Sequence, residues 1–253
     1  MLTSYLTATQ NLLQNPAAPA PLYAPATLTA YINSARGQLA GEAKCIRFIG
    51  SLALTLGNQT YPFSAITLTG GAAAGISGVT DVETAWYQVG TGQKWIRPRP
   101  WPWFSLYELN NPTPTQGPPR VWSQYGQGAS AQSVPNPVGG GSLYVSPPPD
   151  TTYTMPVDCV CYPLPLASDT DPEAIPYLFT DAVPYFAAYL ALLSAQTSVR
   201  TADADKMFQR YTEFVDRARR ASTPGILPTI YQGIPNPARQ NQLGVAPPQR
   251  GAA

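Results

Sequence analysis

Ala182-Val183-Pro184-Tyr185-Phe186-Ala187-Ala188-Tyr189-Leu190-Ala191-Leu192-Leu193 contains no charged side chain. Asp181 precedes it as a helix-capping residue type, and Pro184 falls in the first turn, where its missing N–H does no harm. The pattern predicts a helix from Asp181 to about Ser198. Residues Tyr185 to Leu193 are apolar on every side of that helix, so nearly every side must be covered. Few other helices are predicted, which makes sister chains attractive cover. Ala182 to Leu193 is also too short to span a bilayer.

Downstream, Thr201 or Asp203 starts a further helix that ends near Ala221. Ala204, Met207, Phe208, Tyr211, Phe214, Val215 and Ala218 cover one face at helical spacing. Lys206, Arg210, Glu213, Arg217 and Arg220 form the opposite stripe. Three readings of that stripe stand side by side: a solvated face, a contact with acidic residues of a sister chain, or the lining of a DNA passage. Asp203, Glu213 and Asp216 dilute it against DNA.

After Ala221 the composition changes. Residues 222–253 hold six prolines, four glycines and no acid. Such a segment does not pack as a helix or central strand. Fully extended, it reaches roughly 100 Å. Ile226, Leu227, Ile230, Tyr231 and Ile234 are spaced along it as docking anchors, which a freely disordered tail usually lacks.

Upstream, the pattern predicts a short helix from Thr3 to Leu13 and a second one capped by Thr27. Leu28, Tyr31, Ile32, Ala35 and Leu39 make one apolar stripe. Gly37 and Gly41 each weaken that helix by about 1 kcal/mol relative to Ala. Close approach of another backbone is the expected compensation. From Cys45 to Pro165 the signals are β. Ile46, Phe48, Leu52, Leu54 and Leu56 keep a period of two, and Tyr61–Leu68, Val79–Val89, Arg120–Tyr125 and Tyr153–Tyr162 are further candidate strands. All five tryptophans fall in this region. The expected architecture is α+β. Helices of 1–44 and 166–221 form a bundle built from both chain ends. Residues 45–165 form an inserted antiparallel β-sandwich or barrel, and 222–253 form an extended arm.

Charge is scarce. Asp, Glu, Lys and Arg make up 11% of the 253 residues, and histidine is absent. Ordinary domains carry roughly 25% charged residues. A free monomer keeps a charged, patch-free surface. This composition therefore points to an assembly component. Residues 121–199 contain six acids and no base, a net of −6, whereas residues 200–253 carry eight bases against four acids, a net of +4. Such patches can pair within a fold or between copies.

Without histidine, no Ser-His-Asp or Cys-His arrangement can form. Walker A, G-x-G-x-x-G after a strand and Cys/His metal spacing are absent. Cys45, Cys159 and Cys161 form no disulfide framework and read as small apolar fillers. The acidic run Asp169-Thr170-Asp171-Pro172-Glu173 reads as a solvated loop. No carboxylate pair stands out for glycoside hydrolysis. The expectation is no enzyme, no catalytic residue, no cofactor and no metal. Arg97-Pro98-Arg99-Pro100-Trp101-Pro102-Trp103-Phe104 is the most unusual run. Read as extended, it points Arg97, Arg99, Trp101 and Trp103 the same way, as a partner edge or a sugar platform; alternatively, its rings fill the β core.

Certain strings in this order resemble the head-to-tail adaptor (connector, head completion) proteins of tailed bacteriophages. They are Thr27-Leu28-Thr29-Ala30-Tyr31-Ile32-Asn33-Ser34-Ala35-Arg36, then Tyr153-Thr154-Met155-Pro156-Val157-Asp158, Tyr162-Pro163-Leu164-Pro165-Leu166 and the 182–193 helix. The likeness covers about half of the chain, and the 97–104 and 110–150 segments depart from it. It implies a virion protein made in the host cytoplasm and placed in the neck, without a membrane. That protein forms a ring, usually of twelve copies, between portal and tail, around DNA that passes without sequence readout. By this resemblance Ile226, Leu227, Ile230, Tyr231, Ile234 and Arg239 meet the portal. Tyr185, Phe186, Tyr189 and Leu192 meet sister subunits, Lys206, Arg210 and Arg217 face the channel, and Arg97, Arg99, Trp101 and Trp103 meet a tail component. The alternative is a tail-fibre-like or carbohydrate-binding β module.

Overall fold

The computed structural model describes residues 1–15, 22–89, 92–110, 114–126, 140–194 and 198–222. Helix α1 spans Leu2–Leu12 and α2 spans Pro25–Ala43. Helix α2 opens with proline in its first turn after Ala24, not with Thr27 as a cap. Proline supplies a φ already suited to a helix start, and its missing N–H is one that has no partner there. Lys44 ends α2 in the left-handed conformation, with its N–H on the Ala40 carbonyl.

Seven strands then form one curled sheet: β1 Arg47–Leu54, β2 Thr60–Pro62, β3 Ile76–Val89, β4 Gly92–Pro98, β5 Val121–Tyr125, β6 Ser142–Ser146 and β7 Tyr153–Pro163. Their order is β1-β7-β3-β4-β5-β6-β2. Period-two patterning explains β7, which lies between β1 and β3 and turns Met155, Val157, Cys159 and Cys161 inward. The sheet corrects the expected antiparallel arrangement at one place, because β4 and β5 run parallel. Between them the chain leaves the sheet through a helical turn, α3, at Trp101–Phe104, and returns at Val121. A crossover of that length allows a parallel partner, which a tight hairpin cannot.

The last two helices are α4, Ala182–Ser194, and α5, Ser198–Ser222. α4 touches α1, α2 and α5, and α2 also touches α5. One apolar core runs from Leu2 and Tyr5 through Ile32 and Leu39 to Leu52, Leu143 and Val157, and on to Ala187 and Tyr211. A fully buried Leu or Ile contributes about 1.5–3 kcal/mol by leaving water. Tyr177–Ser194 together has the length and apolarity of a membrane span. Its helical part is a core helix, packed on three neighbours of the same chain.

Two devices lock the segment that follows β7. Arg36, fully buried on α2, grips Glu173 with Nη2 at 2.8 Å and Nε at 3.1–3.2 Å from the two carboxylate oxygens. Its Nη1 donates to the Leu164 carbonyl at 2.6 Å. One turn earlier, Asn33 bonds both the N–H and the carbonyl of Leu166, at 2.8 and 2.9 Å. At the other side Asp169 caps α1 from a distance, accepting the Thr3 N–H at 2.7 Å and the Thr3 hydroxyl. Asp171 accepts the Ala167 and Ser168 N–H groups at 2.6 and 2.7 Å. The acidic run expected to be a solvated loop is therefore the joint between sheet and helices. A buried guanidinium needs a carboxylate, and this run supplies it.

Gly37 compensates for its helix weakness through a side chain, not a backbone. A Cβ there would stand 1.9 Å from the Tyr162 hydroxyl oxygen, whereas one at Gly41 would meet nothing within 4 Å. Gly37→Ala is expected to lower stability by about 1–3 kcal/mol through overpacking. Gly41→Ala is expected to raise it by about 1 kcal/mol through helix propensity. Paired urea melts check the opposite signs. Arg36→Ala strands a buried carboxylate and is expected to cost about 3–5 kcal/mol in the same assay.

The Asp169 carboxyl is held down at about 2, against an ordinary 3.8, by the Thr3 hydroxyl and Thr3 N–H. A depressed folded pKa makes this contribution present above pH 3.8 and lost as pH falls through about 2. The protection of the Leu2–Leu12 amides, taken relative to their intrinsic exchange rate at each pH, is expected to fall in that window in the native protein. In Asp169→Asn the protection is expected to be low already above it and to show no such step.

Candidate functional site

The helical surface is built on α4 and α5. Seven residues of α4, Ala182, Val183, Pro184, Phe186, Ala187, Ala188 and Ala191, are buried within the chain. Phe186 packs on Tyr211 with ring centroids 4.6 Å apart. Tyr185 stacks on Phe214 at 5.5 Å, and Tyr189 meets Phe208 at 5.0 Å. Most of the cover expected from sister chains thus comes from the chain itself, because α5 lays its apolar face along α4. What stays partly open is a strip of Tyr185, Tyr189, Leu190 and Leu192, with Leu193 and Phe208 exposed.

Lys206, Arg210 and Arg217 all lie on the solvent side of α5. Lys206 pairs with Asp203 at 3.0 Å and Arg210 with Glu213 at 2.7 Å. The Arg217 guanidinium lies 5.3 Å from the centre of the Phe214 ring. Exposed pairs of this kind contribute little to stability. Their consequence is electrostatic, since Lys206 and Arg210 are each partly offset by an acid of the same helix.

Five of the six acids of the 121–199 region are also engaged. Asp158 pairs with Arg47, Asp150 accepts the Tyr153 hydroxyl at 2.6 Å, and Asp169, Asp171 and Glu173 serve the joint described above. Among the described residues no group of three His, Cys, Asp or Glu is placed to hold a metal. Burial pushes the Cys45 thiol up to about 11 and the Cys159 and Cys161 thiols up to about 12, so the three are poor nucleophiles.

The aromatic segment departs from the extended reading. Strand β4 ends at Pro98 and the helical turn α3 begins at Trp101, so Arg97, Arg99, Trp101 and Trp103 do not form one row. The rise of a strand separates alternate residues on one face, while a helical turn rotates each residue by roughly a third of a circle. Trp101 stacks on Tyr125 at 4.5 Å and tilts against Tyr144 at 4.5 Å. The Arg99 guanidinium lies 4.8 Å over the Trp103 ring. Of the five tryptophans, Trp122 is buried in the β core and Trp95 is 59% exposed, paired across the β3–β4 hairpin with Trp86.

Sequence reasoning missed two features. Tyr177 and Leu178 stand 82% and 80% exposed on a turn of 3-10 helix, Tyr177–Phe179, just before α4. A cavity of about 370 Å³ and mixed polarity lies beside β3, lined by apolar side chains such as Phe63, Leu68 and Ala72 and by Ser64, Ser77 and Gly78. The signal for the first was present, since Pro176-Tyr177-Leu178-Phe179 is apolar but precedes any helical periodicity. The second comes from the chain folding back after β2 and left no linear trace. The candidate portal residues Ile226, Leu227, Ile230, Tyr231, Ile234 and Arg239 lie outside the described residues.

What this geometry presents is a set of surfaces: an open aromatic strip, a partly neutralised basic helix, an apolar protrusion and a recess of mixed polarity. No curated protein matches the chain. The family model described as SU10 adaptor protein matches residues 2–228. The chain belongs to the SU10 adaptor protein family and is a structural head-to-tail adaptor of tailed phages.

Proposed function

We propose that the protein forms a ring, with twelve copies as the usual number for such adaptors, between portal and tail in the virion neck. The match across residues 2–228 carries this reading. The role is structural and non-enzymatic. The open strip of Tyr185, Tyr189 and Leu192 on α4, continuous with Phe186, supports a contact between sister subunits. Its rings are already braced by α5, so they meet a neighbour without further ordering. Helices of both chain ends supply this helical part, the sheet of 45–165 faces the next tail component, and the 97–104 segment contributes Arg97, Arg99, Trp101 and Trp103 to that meeting.

The arm beyond Ser222 is the portal-binding element. Its root is fixed, because the Ser222 hydroxyl donates to the Ala43 carbonyl at 2.6 Å and Arg219 Nε to the Glu42 carbonyl at 3.2 Å. The anchors Ile226, Leu227, Ile230, Tyr231 and Ile234, together with Arg239, follow in the sequence and meet the portal in this reading. Lys206, Arg210 and Arg217 line the DNA passage weakly, as suits a polymer that must slide. Each is tempered by Asp203, Glu213 or an aromatic ring, which limits phosphate binding.

Removal of residues 223–253 is expected to leave the thermal melt of the subunit unchanged and to abolish its association with the portal. Co-sedimentation of truncated and full-length protein with purified portal measures this. Normal docking of the truncated form refutes the assignment of the arm.

A further inference from the structure

The order of the sheet ends in two strands, β1 and β2, and their outer edges are finished differently. On β2 the Gln59 carbonyl takes the Val145 N–H, so Thr60 and Pro62 turn their backbone groups away from β6. The Asn58 side chain holds both groups of Thr60, donating to its carbonyl at 3.0 Å and accepting its N–H at 3.2 Å. Pro62 has no N–H to offer. That edge is closed to a further strand.

On β1 the Ile46 carbonyl takes the Cys161 N–H. The alternation of an antiparallel ladder then bonds Phe48, Gly50, Leu52 and Leu54 to β7 and turns the N–H and C=O of Arg47, Ile49, Ser51 and Ala53 outward. Ser51 is taken, exchanging both bonds with Thr67 at 2.8 and 2.9 Å. Just past the strand, the Thr55 N–H donates to the Tyr61 hydroxyl at 2.9 Å. Ala53 is shut in between these two. The outward backbone groups of Arg47 and Ile49 have no partner among the described residues. The Arg47 guanidinium is tied to Asp158, so it does not guard the edge as charges on bare edges commonly do. The Ile49 side chain beside it is 63% exposed.

Two outward donors and two outward acceptors held in extended geometry recognise one kind of ligand, an extended peptide strand. Its residues opposite Arg47 and Ile49 need their N–H groups, so neither is proline. The one opposite Ile49 is apolar, and the one opposite Arg47 is not basic, because like charges directly opposite repel. A sister copy does not supply this strand around a ring. Its β2 edge is closed, and joining β1 to β1 makes a two-fold pair, which does not repeat. The place where the arm leaves the fold points to another source. Its root, Ser222, bonds the Ala43 carbonyl. Ala43 lies four residues before Arg47, a span of at most roughly 14 Å. The partner that the arm meets therefore stands beside the open end of β1.

We propose that an extended strand of the portal adds to the Arg47–Ile49 edge of β1. This rests on the portal reading of the arm above and names a second contact with the same partner.

Hydrogen exchange of the full-length protein, read residue by residue with and without purified portal, tests it. The Arg47 and Ile49 amides are expected to exchange readily without portal and to slow by at least about 10-fold on it. Phe48 and Gly50 are expected to be protected in both states, and Ala53 to be the same in both. Unchanged exchange at Arg47 and Ile49 overturns the proposal. Protection that arises without portal assigns the edge to a second copy, and protection by a tail component assigns it there; either overturns it too. In parallel, Ile49→Pro removes one outward donor at a position that an edge strand accepts, and Ile49→Lys keeps the donor but sets a free charge on the edge. Both are expected to melt like the native protein and to bind portal on the order of 10-fold more weakly. Native affinity in both, with docking lost on removal of 223–253, overturns the edge contact and leaves the arm reading intact. Normal docking of the truncated protein refutes the arm reading, and the portal assignment of the edge falls with it.

Discussion

A guanidinium buried on α2 is the constraint from which the rest of the subunit follows. Arg36 has no access to water and must be paired. Its partner, Glu173, comes from the strand-to-helix connection, and its second acceptor, the Leu164 carbonyl, lies just past the end of β7. Satisfying one side chain thus fixes where the sheet ends relative to α2 and where the turn before α4 begins. Asn33 repeats the logic one turn away by holding both backbone groups of Leu166. Replacing either residue with an apolar one removes a geometric instruction as well as a bond. The sheet and the helices consequently share one core.

That rigid joint explains how a chain so poor in charge presents distinct surfaces. α4 is largely covered by α1, α2 and α5, so the demand for cover narrows to a strip of half-buried rings and to the exposed turn before it. The basic helix carries its own acids. The aromatic segment 97–104 is anchored to the sheet, with Arg97 and Arg99 N–H groups on the Arg120 and Trp122 carbonyls at 3.1 and 2.8 Å. These surfaces are small and braced by the fold, which suits a part that meets both portal and tail components.

The helices were legible in the sequence because their apolar residues recur at helical spacing, as Ala204, Tyr211, Val215 and Ala218 do on α5. Strand β7 was legible through its alternation. Strand β6 was not, although Leu143 and Val145 alternate correctly, since five residues after a glycine run give too short a signal. Strand β4 was hidden by the prolines around it, and the crossover that makes its pairing parallel has no periodic signature. The joint was hidden for another reason. A charged residue on a helix reads as solvent-facing, and acids beside a proline read as a loop. One clue was available, because Arg36 lies four residues after Ile32 and three before Leu39, on the buried stripe itself. Family membership was legible from the order of the segments, whereas the exposed turn and the cavity beside β3 depend on distances that only the folded chain supplies.

The self-contained pairing of Asp150, Asp158, Asp169, Asp171 and Glu173 has a consequence for how the protein responds to salt. Contacts made by mobile surface charges weaken under swings in ionic strength, with a screening length of about 8 Å in physiological salt. Five acids committed inside the fold, beside exposed side chains such as Tyr177 and Leu178 that carry no charge, leave such swings little to act on.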